Sequence, residues 1–283
     1  MTEIGLVGPG RVGRTLVELL PREKFRLGPV LSRSATSSRR AVRELEAGFV
    51  AEDAEAFASS KIILFSVTDD ALPLVVKQFS ATSFSLEHKV VLHTSGVCAS
   101  AVLQPLQTRG AAVGSMHPLY IFQRPVPSLA DVHFTVEGDR QAVVTARRLI
   151  RAWGGKFQLV KPEQRIHHSI ARSLSSDMLT GLVEIAVQQM VAGGFSRRRG
   201  LSALSRVLQA AQEDYARSGR SSRPGPLLSG DLSTVHAQLK ALEEADPELA
   251  QAYRMASRQT LRTLQKETVE SILPADPAAG REV

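Results

Sequence analysis

Over roughly the first 160 residues, short apolar runs alternate with amphipathic stretches, and this alternation predicts βαβ units and a parallel sheet. Residues 4–7 read as the first strand and 11–20 as the first helix, with Val12, Leu16 and Leu19/Leu20 on one face. A second strand is expected around 30–31, ending in Ser32-Arg33-Ser34. The run IILFSV at 62–67 reads as a fully buried strand that closes on Thr68-Asp69-Asp70. Asp69 or Asp70 is expected to cap the next helix, whose first turn tolerates Pro73 because an N–H missing there costs little. Strands at 90–93 and 112–116 end in Thr94-Ser95-Gly96 and His117-Pro118, and strands at 133–136 and 157–160 flank a helix that begins near Asp139.

Beyond Lys161-Pro162 the period changes from two to nearly four. From 163 to about 192 the only glycine is Gly181, and Ile166, Ile170, Leu174, Met178, Leu182, Ile185 and Met190 recur near helical spacing. A long helix is expected, buried over its second half. Further helices are expected at about 201–217, 231–243 and 248–273, with a Gly/Ser/Pro/Arg-rich loop at 218–230 and a disordered tail at 274–283. The fold class is thus an α/β, mostly parallel sheet domain over 1–160, followed by an all-α domain over 161–273.

Directly behind the first strand stands Gly8-Pro9-Gly10-Arg11-Val12-Gly13. A lone GxGxxG is common, but one that follows a strand and opens a helix is the fingerprint of a dinucleotide site. Gly8 permits the tight turn, Gly10 lets pyrophosphate approach the backbone, and Gly13 lets helix and strand pack closely. The donors are the N–H groups from Arg11 and Val12 onward, aided by the helix dipole, so Pro9 removes a donor the site does not use. An NAD site carries a carboxylate about 20 residues on. Here Ser32-Arg33-Ser34 occupies that place, a set that suits a 2′-phosphate and favours NADP(H). Val67 and Thr68, at the end of the next strand, complete the expected cofactor-binding set.

Composition narrows the classes without changing that reading. Of 283 residues, 43% are hydrophobic and 22% charged, ordinary for a globular chain. The net charge of +7 invites a nucleic-acid partner, but aromatics are only 5% and none interleave with the basic clusters at 33–43 and 197–199. A solvated basic face or attraction for an anionic cofactor fits better. One cysteine, Cys98, leaves no intrachain disulfide, and no apolar run reaches membrane-spanning length. The expectation is a cytoplasmic protein with no nucleic-acid or membrane partner.

Ligands of open α/β sheets bind at the carboxyl ends of the strands. His93 with Ser95, and His117, stand at such ends, while His168 and Ser175 share a face of the long helix. Hydride transfer needs a positioned nicotinamide and a proton donor, for which histidine is the usual choice. His93, Ser95, His117 and His168 are therefore the catalytic candidates, each with a hydrogen-bonded structural role as the plain alternative. Adjacent His167 and His168 point about 100° apart and no carboxylate pattern completes a metal site, so none is expected.

VGPGRVG, SRS, VTDD, HTSG, GSMHPL, FTVEGD, the histidine helix and GPLLSGD followed by Thr234-Val235-His236 occur in this order. Together they resemble the Rossmann-like family whose helical C-terminal part is called domain of unknown function 2520. More distantly, the chain is similar to pyrroline-5-carboxylate reductase and related reductases. The resemblance covers residues 3 to 265. It implies an NADP-binding N-terminal domain and a helical domain that dimerises, with a cleft between them. The chain departs from the family pattern at His167-His168, where the family has Tyr-His, and at Ser176, where it has Asn. Further departures are Pro224-Gly225-Pro226 and Ser229-Gly230-Asp231, all on the expected substrate side. The expected function is reduction of a small imine or carbonyl compound; the alternative is a catalytically silent NADP-binding sensor. A homodimer is expected because residues 179–190 are apolar over more than one face.

Overall fold

A computed structural model describes residues 1–123, 126–219, 222 and 225–264. It contains two compact units, Met1–Thr180 and a second that begins at Gly181. The tail at 274–283, the end of the last expected helix and Pro224 lie outside the described residues.

The first unit is built on eight strands in the order β3-β2-β1-β4-β5-β6-β7-β8. These are β1 (Thr2–Val7), β2 (Phe25–Leu31), β3 (Phe49–Val50), β4 (Ile62–Phe65), β5 (Val90–His93), β6 (Ala112–Pro118), β7 (His133–Gly138) and β8 (Lys156–Leu159). All neighbours are parallel except β6 and β7. The expected parallel sheet is present, with β1 at the point where the strand order turns back.

Successive strand residues feed opposite cores. Ile4, Leu6, Ile62, Leu64, Leu92, Met116 and Phe134 join one cluster, completed by Leu16 of α1 (Arg11–Glu18) and by Ala146 and Ile150 of α5 (Arg140–Ala152). Val7, Ile63, Phe65, Val91 and Val113 join the other, with Val76 and Phe79 of α3 (Leu72–Ser80) and Leu106 of α4 (Gln104–Gln107). Burial on both faces is why these strands read as unbroken apolar runs.

Three local expectations differ. A helix, α2 (Ala35–Leu45), follows β2 and begins at Ser34, whose Oγ accepts the Ser37 N–H. It buries Ser38, Ala41 and Leu45 on one stripe and leaves Arg39, Arg40 and Arg43 in solvent, so the charge run masked its period. Neither Asp69 nor Asp70 caps α3; both sit in a single 3-10 turn, Asp69–Ala71, that precedes it. The long helix is present as α6 (Arg165–Ser173), a π turn at Leu174–Met178 and α7 (Leu179–Ala192), but within one chain only Val187 of α7 is buried.

The second unit continues with α8 (Arg197–Ser218), α9 (Pro226–Ser229), α10 (Leu232–Ala245) and α11 (Pro247–Leu264). Its small core centres on Leu228, Val235 and Leu261. Asp231 caps α10 by accepting the Thr234 N–H. No helix of the described residues is long and apolar enough to cross a membrane.

Candidate functional site

The glycine loop forms as its spacing requires. Gly8 has φ of +84°, and a Cβ there would stand 2.5 Å from the Ser66 carbonyl oxygen. A Cβ at Gly13 would meet the Gly8 oxygen at 2.7 Å, so that glycine lets α1 close onto β1. A Cβ at Gly10 would meet nothing within 4 Å, so that side of the backbone is open to a ligand. The Gly10 N–H donates to the Gly8 oxygen at 2.8 Å, a three-residue turn centred on Pro9, where the ring's fixed φ suits the geometry. Gly10 is then the N-cap of α1 with no side-chain acceptor, and the first intrahelical bond runs from Arg14 N–H to Gly10 oxygen. Proline thus stiffens the turn and leaves the Arg11 and Val12 N–H groups directed outward as donors.

These residues line one end of a cleft of about 590 Å³ that lies wholly within the first unit. Its walls run from Gly10, Arg11 and Val12 past Val67 and Thr68 to Thr94, Ser95, Gly96 and His117. Tyr120 and Phe122 of the loop after β6, and Ser169, Arg172 and Ser176 of the long helix, line the remainder. Ser32, Arg33 and Ser34 stand at the end of β2. The Ser32 hydroxyl bonds Ser34 oxygen and Ser38 Oγ, and Ser34 Oγ is the α2 cap, so Arg33 offers the exposed cation of that set.

His93 is fully buried and does not line the cleft. It is the last residue of a strand covered on both faces, and its Nδ1 accepts the Ser95 N–H at 3.2 Å. Burial first, then the guanidinium of Arg165, pushes its pKa from 6.5 down to about 3, against the pull of the Ala99 carbonyl. The ring is neutral, with its proton on Nε2, and it braces the 93–96 turn from below. His93, a catalytic candidate of the sequence, therefore lies at a doubly covered strand end that faces the interior.

Ser95 lines the cleft, but its Oγ accepts the N–H groups of Val97 and Cys98 and so shapes the turn. His117 is placed differently. Its Nδ1–H donates to the Thr94 carbonyl at 2.9 Å, which fixes the tautomer and leaves Nε2 as a buried acceptor without a partner. Burial, opposed by that carbonyl and helped by Arg165 and Arg172, lowers its pKa as well. A Cβ on Gly96 would come within 2.9 Å of the His117 ring, so glycine at 96 is what lets the imidazole lie against the turn. With Nδ1–H committed to the Thr94 carbonyl, the neutral ring keeps its lone pair on the buried Nε2.

His168 and Ser175 do share a wall, in an adjoining cavity of about 520 Å³. Ser175 Oγ donates back to the Ala171 and Arg172 carbonyls, while Ser176 Oγ donates to Arg172 oxygen. These bonds, with the π turn, widen the helix where it borders the cleft.

The sequence reading missed Arg165, which is 1% exposed. Its NH2 donates to the Ser95 carbonyl, and its NH1 stands 3.7 Å from Glu137 Oε1. Glu137 also takes the Ser100 N–H and hydroxyl at 2.7 and 2.6 Å. His93, Ser115 and Glu137 are register partners across β5, β6 and β7 and point to one face. The signal available was Arg165 and Arg172 seven residues apart, hence on one face of the expected helix.

Residues 1–118 match the Rossmann-like domain, and residues 132–260 match the domain of unknown function DUF2520. The chain joins a Rossmann-like domain to a DUF2520 domain. No curated protein matches it. Among solved structures it is similar to a Thermotoga maritima protein (TM-score 0.72, 17% identity, covering 93% of this chain and 98% of that one). It is similar to a reductive aminase from Aspergillus terreus in complex with NADPH and ethyl-5-oxohexanoate (TM-score 0.71, 17% identity, 96% and 98% covered). A 1-pyrroline-5-carboxylate reductase from Streptococcus pyogenes shares the fold at TM-score 0.60 and 13% identity, with 94% and 98% covered.

The depressed His93 pKa has a consequence for stability. Between pH 6.5 and about 3 the unfolded chain binds a proton that the folded chain excludes, so stability rises with pH across that window and is lost as pH falls. The slope from this one group approaches about 1.4 kcal/mol per pH unit. Urea titrations from pH 7 to 4 are expected to show a flatter profile for His93→Asn than for wild type. Parallel profiles would contradict the assignment.

Proposed function

We propose that this protein is an NADP-dependent reductase acting on the C=N or C=O bond of a small molecule. The observation that carries the reading is one continuous cleft, lined by the glycine loop at one end and further along by His117, whose buried Nε2 has no partner. The residues fit a dinucleotide: Gly10 is open, Gly8 and Gly13 are required by close packing, and Arg33 is an exposed cation where a 2′-phosphate would need one. The reductive aminase complex with NADPH supports the same reading by fold.

When bound, a reduced nicotinamide supplies the hydride. The chain's own residues bind and orient. The Arg11 and Val12 N–H groups would hold the phosphates, with Val67 and Thr68 beside them in the cleft wall, and Thr94 and Gly96 fix the His117 ring. His117 Nε2, a neutral acceptor, can hold the N–H of a protonated imine and aim its carbon, which favours C=N over C=O. The apolar side chains Val97, Ile121 and Phe122 line that end of the cleft.

The second unit carries a homodimer. Leu182, Val191, Phe195, Leu201 and Val207 are 45–62% exposed within one chain, far more apolar surface than such helices leave in water. Sedimentation at micromolar concentration is expected to give a dimer; a monomer would overturn the assignment.

Arg33→Ala is expected to weaken NADPH by about 1.5–3 kcal/mol, the worth of one charge-assisted contact, and to leave NADH nearly unchanged. Equal wild-type affinities for the two would contradict the 2′-phosphate role. Stopped-flow NADPH oxidation over a panel of imines, keto acids and aldehydes tests turnover. His117→Ala is expected to lower kcat roughly 10–10²-fold, the worth of one hydrogen bond to a charged group, with NADPH affinity retained. Tight NADPH binding with no turnover across the panel would instead favour the silent sensor.

A further inference from the structure

Among the buried and half-buried arginines of the first unit, Arg14 pairs with Glu44, and Arg147 lies over the Phe157 ring, 4.8 Å from its centroid. Arg165 bonds the Ser95 carbonyl and faces Glu137. Arg109 donates to the carbonyls of Phe79, Ser80, Thr82 and Phe84 and to the Thr82 hydroxyl. Arg172 has neither: no carboxylate stands within 4 Å of it among the described residues, and its guanidinium makes no hydrogen bond there. Asp69 and Asp177 line the same cleft without reaching it.

Its position is equally distinct. Ser169, Arg172, Ser176 and Thr180 repeat at helical spacing and form one wall of the cleft. Arg172 also lines the adjoining cavity, together with Leu119, Tyr120, Ile121 and His168. It therefore stands at the junction of the two. In that second cavity it is the sole permanently charged side chain; the rest is apolar or neutral apart from His168, whose buried Nδ1 has no partner. Arg172 also lies close enough to His117 to depress its pKa.

A planar guanidinium left unpaired beside an apolar wall is a site for a planar anion, because the fork matches a carboxylate bidentately and the low dielectric strengthens the pair. We propose that the reductase site takes a substrate with a carboxylate next to its reacting double bond, the carboxylate on Arg172 and the C=N at His117. This rests on the reductase reading above. The apolar remainder of the substrate lies on Leu119, Tyr120 and Ile121, in the adjoining cavity. In the reaction the iminium carbon gains a hydride from the reduced dinucleotide, and the C=N electron pair passes to nitrogen. The products are the amine and the oxidised dinucleotide.

The test uses the full chain with NADPH, a cyclic imine bearing a 2-carboxylate, and its methyl ester. Wild type is expected to prefer the acid over the ester by roughly 100-fold in kcat/KM, the worth of a charge-assisted pair of hydrogen bonds. Arg172→Met is expected to erase most of that preference through the KM of the acid, and Arg172→Lys to restore part of it. The NADPH dissociation constant of Arg172→Met is expected within about threefold of wild type. Calorimetry with the saturated 2-carboxylate amine in the presence of NADP⁺ gives a readout that needs no turnover. Binding to wild type that is lost in Arg172→Met, without turnover of either imine, supports the carboxylate site and removes the reductase reading. An ester accepted as well as the acid, a variant whose defect lies in NADPH affinity, or no binding of the acid to wild type would each overturn the proposal.

Discussion

The candidate site depends on one buried cation. Arg165 opens α6, is 1% exposed, and has its charge balanced by Glu137 of β7 while it donates to the carbonyl of Ser95 in the turn after β5. A guanidinium taken out of water is tolerable only with such partners, and removing one of them typically costs about 3–5 kcal/mol. Those partners, one in the turn after β5 and one on β7, tie the start of α6 to the sheet at two points. The charge of Arg165 also acts on both histidines of the neighbouring strand ends. His93 is kept neutral beneath the turn, and His117 is held by the Thr94 carbonyl with its free nitrogen buried.

A second constraint acts at the other end of the cleft. Pro9 centres a three-residue turn closed by Gly10 N–H to Gly8 oxygen, so the loop is preshaped before any ligand arrives. Little conformational freedom remains to be lost on binding there. The donors that matter begin at Arg11, after the proline. Turn, helix terminus and the strand end at Val67 and Thr68 thus form one rigid edge, while the opposite wall comes from a helix loosened by a π turn at Leu174–Met178.

The sheet was legible because buried strands and their helices leave periods of two and nearly four in the chain, and because GxGxxG in its strand–helix setting has a backbone meaning. Helix α2 was not, since Arg39, Arg40 and Arg43 crowd its exposed face and hide the small stripe of Ser38, Ala41 and Leu45. At the site, strand-end histidines were legible as positions but not as roles. The two sit on neighbouring strands two residues apart in register, yet the turn at Gly96 admits only the His117 ring to the cleft. Arg165 and Glu137 escaped notice because a buried ion pair is joined by tertiary packing, which no local pattern records. Apolar residues of α7, expected to be buried, are exposed in the single chain; a local period reports that a face needs cover and says nothing about what covers it.

The central claim is that the glycine loop and His117 serve one ligand site, with the dinucleotide at one end and the acceptor bond at the other. A crystal structure of the protein with NADPH tests it most directly. Pyrophosphate is expected on the Arg11 and Val12 N–H groups and the nicotinamide ring in the cleft, with His117 Nε2 within about one hydrogen bond or one water of the space over its reactive face. NADPH bound away from Gly10, or a nicotinamide ring separated from His117 by protein, would contradict it.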